Sequence, residues 1–387
     1  MKNVLLYTVS AAALALGAPA MAQDRVTDVD LPTGYGNYSE IDQDGDGNAA
    51  TVEQGPGVES ISEIEQDDND NYAEVDQQNS NPAGMVNYSV PANESNIDQS
   101  GNANFASVTQ NSQGPGTNDG NDSIIDQYSD GNEGSESVAD ALAARTVTPP
   151  LTTAGAGQTF SNAAVVRQTS GTGNNSSITQ GSESTPVSGN LAYVEQIGSG
   201  HDATVEQTGF RNTALIDESG SSLDDSNNDA TIRQSGDDNL ADIDQEGDNL
   251  SSTVTQSGNE NEAFVMDQEG FSNTVIVNQA GDRNLATVGG SEGDQSGNNN
   301  LADIDQQGDD DNATIVQAGS FNESFIDQLS GGSNNTATST QTSSDNFSQI
   351  TQGGGSLNMA TVTQSVTDGS SSTVTQNGSS NTATVNQ

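Results

Sequence analysis

The sequence has no cysteine, no tryptophan and one histidine, and 7 basic residues stand against 56 acidic ones. Each shortage removes a class of function. Without cysteine there is neither a disulfide framework nor a thiolate metal site. With one histidine and no cysteine, the usual nucleophile–base pairs cannot be assembled, and an enzyme is not expected. A formal net charge of −49 leaves no cationic face for phosphates, so a nucleic-acid partner is excluded. Hydrophobic residues make up 30% and aromatics 4%, too little to fill an ordinary compact core. By composition alone the chain would pass for disordered.

Long apolar runs are also missing, except near the start. Residues 1–22 read as a secretory signal peptide. Lys2 supplies the positive end, residues 4–16 the apolar stretch, and Ala20, Met21 and Ala22 an A-x-A-like cleavage site. The stretch is too short to compete as a spanning helix. The mature chain is expected to be exported and to carry no transmembrane segment. Residues 23–40 lack any repeat and read as a flexible N-terminal segment.

What the chain does have is a period. In the stretch 239–256, Asn239, Ala241, Ile243 and Gln245 alternate with Leu240, Asp242 and Asp244, and Gly247 follows. Apolar or amide residues on one side and mostly carboxylates on the other, at period two, describe a half-buried strand. Gly247 reads as a turn, because glycine adopts positive φ without steric cost. A second pass closes at Gln256. Such passes recur every eleven or twelve residues, with some sixteen-residue steps that read as loop insertions. They form a first array over 41–110 and a main array over 161–387. Residues 111–160 read as a linker or insertion, with a strand candidate around Ile124 and Ile125 and a short helix candidate over 137–145 ended by Pro149 and Pro150.

One such strand buries too little apolar surface to repay its ordering entropy, so copies must stack on one another. The expected fold is all-β: a β-solenoid of strand–turn units of about eleven residues. Two-sided coils of about 22 residues and triangular coils of about 33 both fit that step. Stacked at about 4.7–4.9 Å, equivalent positions form ladders. The inward ladder is expected to comprise Asn104, Ala106, Val108 and Gln110; Gln234, Asn239, Ala241, Ile243, Gln245 and Gln256; Gln295, Asn300, Ala302, Ile304 and Gln306; and Gln376, Asn381, Ala383, Val385 and Gln387. Gly101, Gly236, Gly247, Gly258, Gly297, Gly308 and Gly378 are the expected turn glycines. Glu218 takes one glutamine place, and His201 one asparagine place.

The pattern Q-x-G-x-x-N-x-A-x-x-x-Q, complete at 43–54, 99–110, 234–245, 295–306 and 376–387, resembles the curlin repeat of curli fibre subunits. That resemblance implies a two-sheet amyloid-like solenoid, with coils of about 22 residues. It implies secretion across an outer membrane and self-association into adhesive biofilm fibres at the bacterial surface, with a nucleator, a secretion pore and a periplasmic chaperone as partners. It also implies that inward Gln and Asn residues carry templated growth. The chain departs from familiar curlins in its many repeats, its extreme acidity, and the frequent absence of the serine that begins the family pattern.

Two other readings attach to particular residues. Asp42, Asp44, Asp46 and Glu53 match the spacing of an EF-hand calcium loop, and would suit a monomeric calcium-stabilised adhesin. The same residues are also the repeat in register, with no helix pattern on either side. Otherwise no cofactor is expected. Thr253 and Thr255, Thr361 and Thr363, and Thr373 and Thr375 give T-x-T pairs like those of ice-binding solenoids. Threonine is equally a good outward strand residue. Stacked equivalents of Asp242 and Asp244 are expected to repel one another and to slow assembly at neutral pH.

Overall fold

The computed structural model describes residues 37–55, 60–79, 93–112, 120–129, 161–182, 186–219, 227–289 and 295–387. The residues read as a signal peptide and those read as a helix lie outside the described residues. So does the flexible segment apart from its last four residues, and Tyr38 to Glu40 already belong to the first strand.

Successive strands alternate between two parallel sheets of 13 strands each. Sheet A stacks β1 (Tyr38–Gln43), β3 (Ile61–Gln66), β5 (Asn93–Ser100), β7 (Asn121–Tyr128), β9 (Asn175–Gln180), β11 (Asp202–Gln207), β13 (Asp229–Gln234), β15 (Ser251–Gln256), β17 (Thr274–Gln279), β19 (Leu301–Gln306), β21 (Glu323–Gln328), β23 (Phe347–Gly353) and β25 (Ser371–Asn377). Sheet B stacks β2 (Ala49–Gln54), β4 (Tyr72–Asn79), β6 (Phe105–Ser112), β8 (Asn162–Gly171), β10 (Asn190–Ile197), β12 (Thr213–Ser219), β14 (Leu240–Gln245), β16 (Glu262–Gln268), β18 (Leu285–Val288), β20 (Asn312–Gln317), β22 (Thr336–Gln341), β24 (Met359–Gln364) and β26 (Thr382–Asn386). The coil is two-sided. Where no insertion intervenes, one coil takes 22 residues, as between Leu240 and Glu262.

Pairing is in register, so like residues stack. Ala230 pairs with Ser252 and Ile232 with Val254 in sheet A, and Ala214 with Ala241 and Ile216 with Ile243 in sheet B. The thin core is one continuous cluster of such Ala, Val and Ile side chains, from Ile64 to Val374. In sheet A the small inward slot often holds serine: Ser324, Ser348 and Ser372 pair in line below Ala302.

β6 pairs directly with β8, and β7 lies between β5 and β9. Both repeat arrays therefore build the same two sheets. The sixteen-residue steps of the main array are not alike. Those that end at Gln196 and Gln234 lengthen the connections into β10 and β13. The one that ends at Gln295 falls inside the place of a strand, after Val288, and Gln295 rejoins sheet B through a single bridge to Gln268. A second apolar cluster lies on the outer face of sheet B, where Phe105, Val165, Leu191, Tyr193 and Leu215 are buried and Tyr72 stacks on Phe105 at 5.4 Å.

Candidate functional site

Glutamine ends most strands, and its side chain is long enough to reach both the next coil and the facing sheet. In sheet A, from Gln43 to Gln376, each strand-end glutamine donates from Nε2 to Oε1 of its successor at 2.6–2.9 Å. The second Nε2 hydrogen reaches a main-chain carbonyl of the facing sheet: Gln234 to Thr213 O (2.9 Å), Gln256 to Leu240 O (2.8 Å), Gln306 to Leu285 O (3.0 Å), Gln376 to Met359 O (2.9 Å). One amide thus joins coil to coil and sheet to sheet. An uninterrupted row of such amides satisfies the polar atoms it buries.

Sheet B has the same row with two irregular places. It runs Gln54, Gln77, Gln110, Gln168, Gln196 at 2.9 Å per step, then meets Glu218. Further on, Gln268 Nε2 and Gln295 Oε1 are buried without a partner, at the insertion that displaces Gln295 from a strand. From Gln295 the row resumes through Gln317, Gln341 and Gln364 to Gln387.

Asparagine does a different job at the turns. Its Oδ1 accepts the main-chain N–H of the next coil's equivalent residue, as Asn212 does from Asn239 (2.9 Å) and Asn239 from Asn261 (3.0 Å). Its Nδ2 donates to a glycine carbonyl one coil on, Asn239 to Gly258 O at 2.7 Å. His201 occupies this slot on the other edge: its N–H donates to Asn174 Oδ1 (3.1 Å) and its Nε2 faces Ile197 O (3.3 Å). Burial keeps its imidazole neutral, pushed down to about 4. Asp311 also stands in an asparagine slot, which Gln306, Gly308, Ala313 and Gln317 mark in the sequence.

Of the residues expected to face inward, Asn104, Ala106, Val108, Gln110, Gln234, Asn239, Ala241, Ile243, Gln245, Gln256, Gln295, Asn300, Ala302, Ile304, Gln306 and Gln376 are buried. Asn381, Ala383 and Val385 are half-buried and Gln387 is exposed, because β26 has a neighbour on one side only.

Positive φ does not account for three of the seven turn glycines. Gly101, Gly236, Gly297 and Gly378 have it, but Gly247, Gly258 and Gly308 do not. What forbids a side chain at Gly247 is the coil below, since a Cβ there would lie 2.2 Å from Gly270 O. The left-handed residue of these turns is instead the one before the asparagine: Asp238, Glu260, Arg283, Phe321 and Leu357 all have φ of 56–62°. Glycine, asparagine or aspartate often holds that position, as at Gly47, Gly200, Asn227, Asn299, Asn334 and Asp345. These types take left-handed backbone most readily, whereas Arg283, Phe321 and Leu357 do not announce it.

The calcium spacing does not build a site. Asp42 lies on the outer side of β1 and Glu53 on the outer side of β2, in opposite sheets, so the carboxylates diverge. Among the described residues no group of three or more acidic or histidine side chains is placed to hold a metal ion. Threonines align better than the T-x-T pairs suggested. Thr287, Thr314, Thr338, Thr361 and Thr384 stack in register on the outer face of sheet B.

Outward carboxylates stack too, Asp305 on Asp327 and Asp217 on Asp244. Asp303 and Asp327, on adjacent strands, are both held above the ordinary range by partial burial and by like charges nearby. Asp217 is pushed up to about 7 by burial, with Glu195, Glu246 and Asp242 adding to it.

A family model for the curlin associated repeat matches residues 188–209, 226–258, 236–270 and 297–329. The chain carries curlin associated repeats at these four places. All four matches fall in the array 161–387, yet the curlin-like strands of 41–110 share its sheets and its glutamine row. The family is structural and non-enzymatic. No curated protein and no solved structure matches the chain. Among the described residues no helix is long and apolar enough to cross a membrane.

Proposed function

We propose that this curlin-repeat chain is a structural subunit of an extracellular curli-like amyloid fibre, serving adhesion and biofilm matrix. It grows by stacking whole solenoids end to end. The observation that carries the reading is the continuous glutamine row of sheet A inside in-register parallel sheets. Among the described residues β1, β2, β25 and β26 each pair on one side only. Gln43 and Gln54 begin the two rows, and Gln376 and Gln387 finish them. A second copy placed below would extend both rows with the geometry of any internal step, as strand edges do when they template. A fibre nucleator, a secretion pore and a periplasmic chaperone are the partners this reading requires.

The test is seeded growth of the secreted chain, followed by thioflavin fluorescence and electron microscopy. Elongation from preformed ends is expected, and it should slow when Gln43 and Gln54 are both replaced by leucine. A chain that stays monomeric across pH and salt sinks the fibre reading.

The calcium-stabilised adhesin loses its support with the divergence of Asp42 and Glu53. The register of five threonines favours one minor alternative, an ice-binding face on sheet B. Inhibition of ice recrystallisation, abolished by Thr338→Asp, would favour that alternative over the fibre.

A further inference from the structure

Each kind of ladder contains a carboxylic acid in an amide's place. Glu218 is fully buried in the glutamine row of sheet B. Gln196 Nε2 donates to its Oε2 at 2.8 Å. On the other side its Oε1 meets Gln245 Oε1 at 3.2 Å, and two oxygens that close are a hydrogen bond only when one carries a proton. Turning the Gln245 amide over would present its nitrogen to Glu218. It would also set its oxygen against Ser252 N (3.3 Å) and Ser252 Oγ (2.9 Å) and 3.0 Å from Gln268 Oε1. An ionised Glu218 would need Gln268, whose Nε2 has no partner, to turn as well. A protonated Glu218 leaves both amides in the orientation of the rest of the row.

Asp311 repeats the situation at a turn. Its Oδ1 accepts from Asn335 N (2.8 Å) and Asn335 Nδ2 (3.1 Å), as an asparagine oxygen would. Its Oδ2 is buried with no partner. In sister coils the atom in that place is an amide nitrogen donating to a glycine carbonyl, as Asn284 Nδ2 does to Gly308 O at 2.8 Å. The matching carbonyl for Asp311 is Gly332 O. A Cβ built on Gly308 would fall 2.4 Å from Asp311 Oδ2 and 2.5 Å from Gly332 O, so the two oxygens share one small space.

We propose that Glu218 and Asp311 are proton-binding sites of the folded solenoid, each holding its carboxyl as the neutral acid. The O–H takes over from the missing amide N–H: Glu218 donates to Gln245 Oε1, and Asp311 to Gly332 O. Protonated glutamic and aspartic acids present one donor and one acceptor, which is what these slots require. Among the described residues no cation is placed to favour the charged forms. Glu218 faces Asp202 and Asp229 from sheet A and Asp217 on its own strand, while Arg167 on the outer face is engaged by Glu195. Asp311 has Asp309 and Asp310 beside it, and Arg283 is held by Asp310 at 2.8 and 2.9 Å. Burial, with these like charges, raises Glu218 well above the carboxylate range and Asp311 to about 6.

The chain therefore takes up protons when it folds. With the folded value raised, the stabilisation from Asp311 is complete below its ordinary 3.8 and is lost as pH rises through about 6. For Glu218 the loss begins at its ordinary 4.5 and continues to its higher folded value. Within its window each site raises the unfolding constant about tenfold per pH unit. The result is an acid-tightened clasp at two internal coils, and it operates in the single molecule whether or not fibres form.

The experiment compares the full secreted chain with Glu218→Gln, Asp311→Asn and the double variant. These restore the slots' own amides and are expected to fold. Infrared spectra of the folded proteins, taken from about pH 8 down to about pH 4, should show the neutral carboxyl band of the parent appearing above the ordinary carboxylate range. Each single variant should lose one carboxyl's share of it. Denaturant midpoints of the double variant should fall less with rising pH than those of the parent. Asp345→Asn, at an exposed turn, serves as the control for general charge repulsion. If the neutral band and the pH slope are unchanged in the double variant, or if Asp345→Asn alone changes them as much, the proposal is overturned.

Discussion

At the scale of single residues, the small inward slot of sheet A shows what a repeat tolerates. Ser348 is fully buried and its hydroxyl has no partner, while Ala302 fills the same slot two coils away. An unpaired buried hydroxyl costs about 1–3 kcal/mol relative to a paired one. Ser348→Ala should therefore stabilise the chain by about 1 kcal/mol, seen as a higher denaturant midpoint. Ser252 is the contrast, since its Oγ accepts from Gln245 and donates to Gln268 Oε1 (2.8 Å). Ser252→Ala should lower the midpoint by a similar amount. If both substitutions moved stability in one direction, the pairing of these hydroxyls would not be what separates them.

At the scale of the strand and its turn, the distance to the next coil decides more than backbone conformation. Gly331 has φ +87° and nothing within 4 Å of where a Cβ would stand, whereas Gly247 has an ordinary φ and the coil below in the way. Gly331→Ala should cost about 1 kcal/mol, the left-handed penalty alone. Gly247→Ala should cost more, about 1–3 kcal/mol, because its neighbour's backbone must shift. Thermal melts of the two variants check the order. Two of the salt bridges obey the same geometry: Arg211 pairs with Asp238 and Arg283 with Asp310 one coil on, each pair at the left-handed turn position. These pairs are exposed and contribute little to stability.

For the whole molecule, the acidity and the stacking oppose each other. Asp217, raised to about 7, contributes stability that is complete below its ordinary 3.8 and is lost as pH rises through that folded value. Asp303 and Asp327 are shifted in the same direction. His201 acts against them, because its folded value is lowered from 6.5 to about 4, so its contribution is present above 6.5 and lost as pH falls towards 4. The carboxylates outnumber it. Acidification from about pH 8 to about pH 5 should raise the melting temperature, and added salt at neutral pH should do so as well. The proposed fibre growth should quicken under the same two changes. Indifference to both pH and salt would mean that the outward rows exert no brake.

Much of this was legible in the chain itself. The eleven-residue period, the inward run Asn239, Ala241, Ile243, Gln245 and the stacking of equivalent positions follow from alternation and from the need of each strand for a partner. Those are local properties, and a sequence displays them directly. The tertiary structure alone decided which coil lies beside which. Odd strands went to one sheet and even strands to the other, so Asp42 and Glu53 parted although both belong to one short stretch of sequence. Thr287 and Thr384 joined one column although they stand on strands as far apart as β18 and β26. Glu218 came to rest between Gln196 and Gln245, 22 residues before it and 27 after, only because the intervening loops close at those lengths. Neighbours in a solenoid are set by hydrogen bonding across a whole coil, and the length of that coil varies wherever a loop is inserted. A repeating pattern therefore names the slots, and the fold determines what each slot's occupant must face.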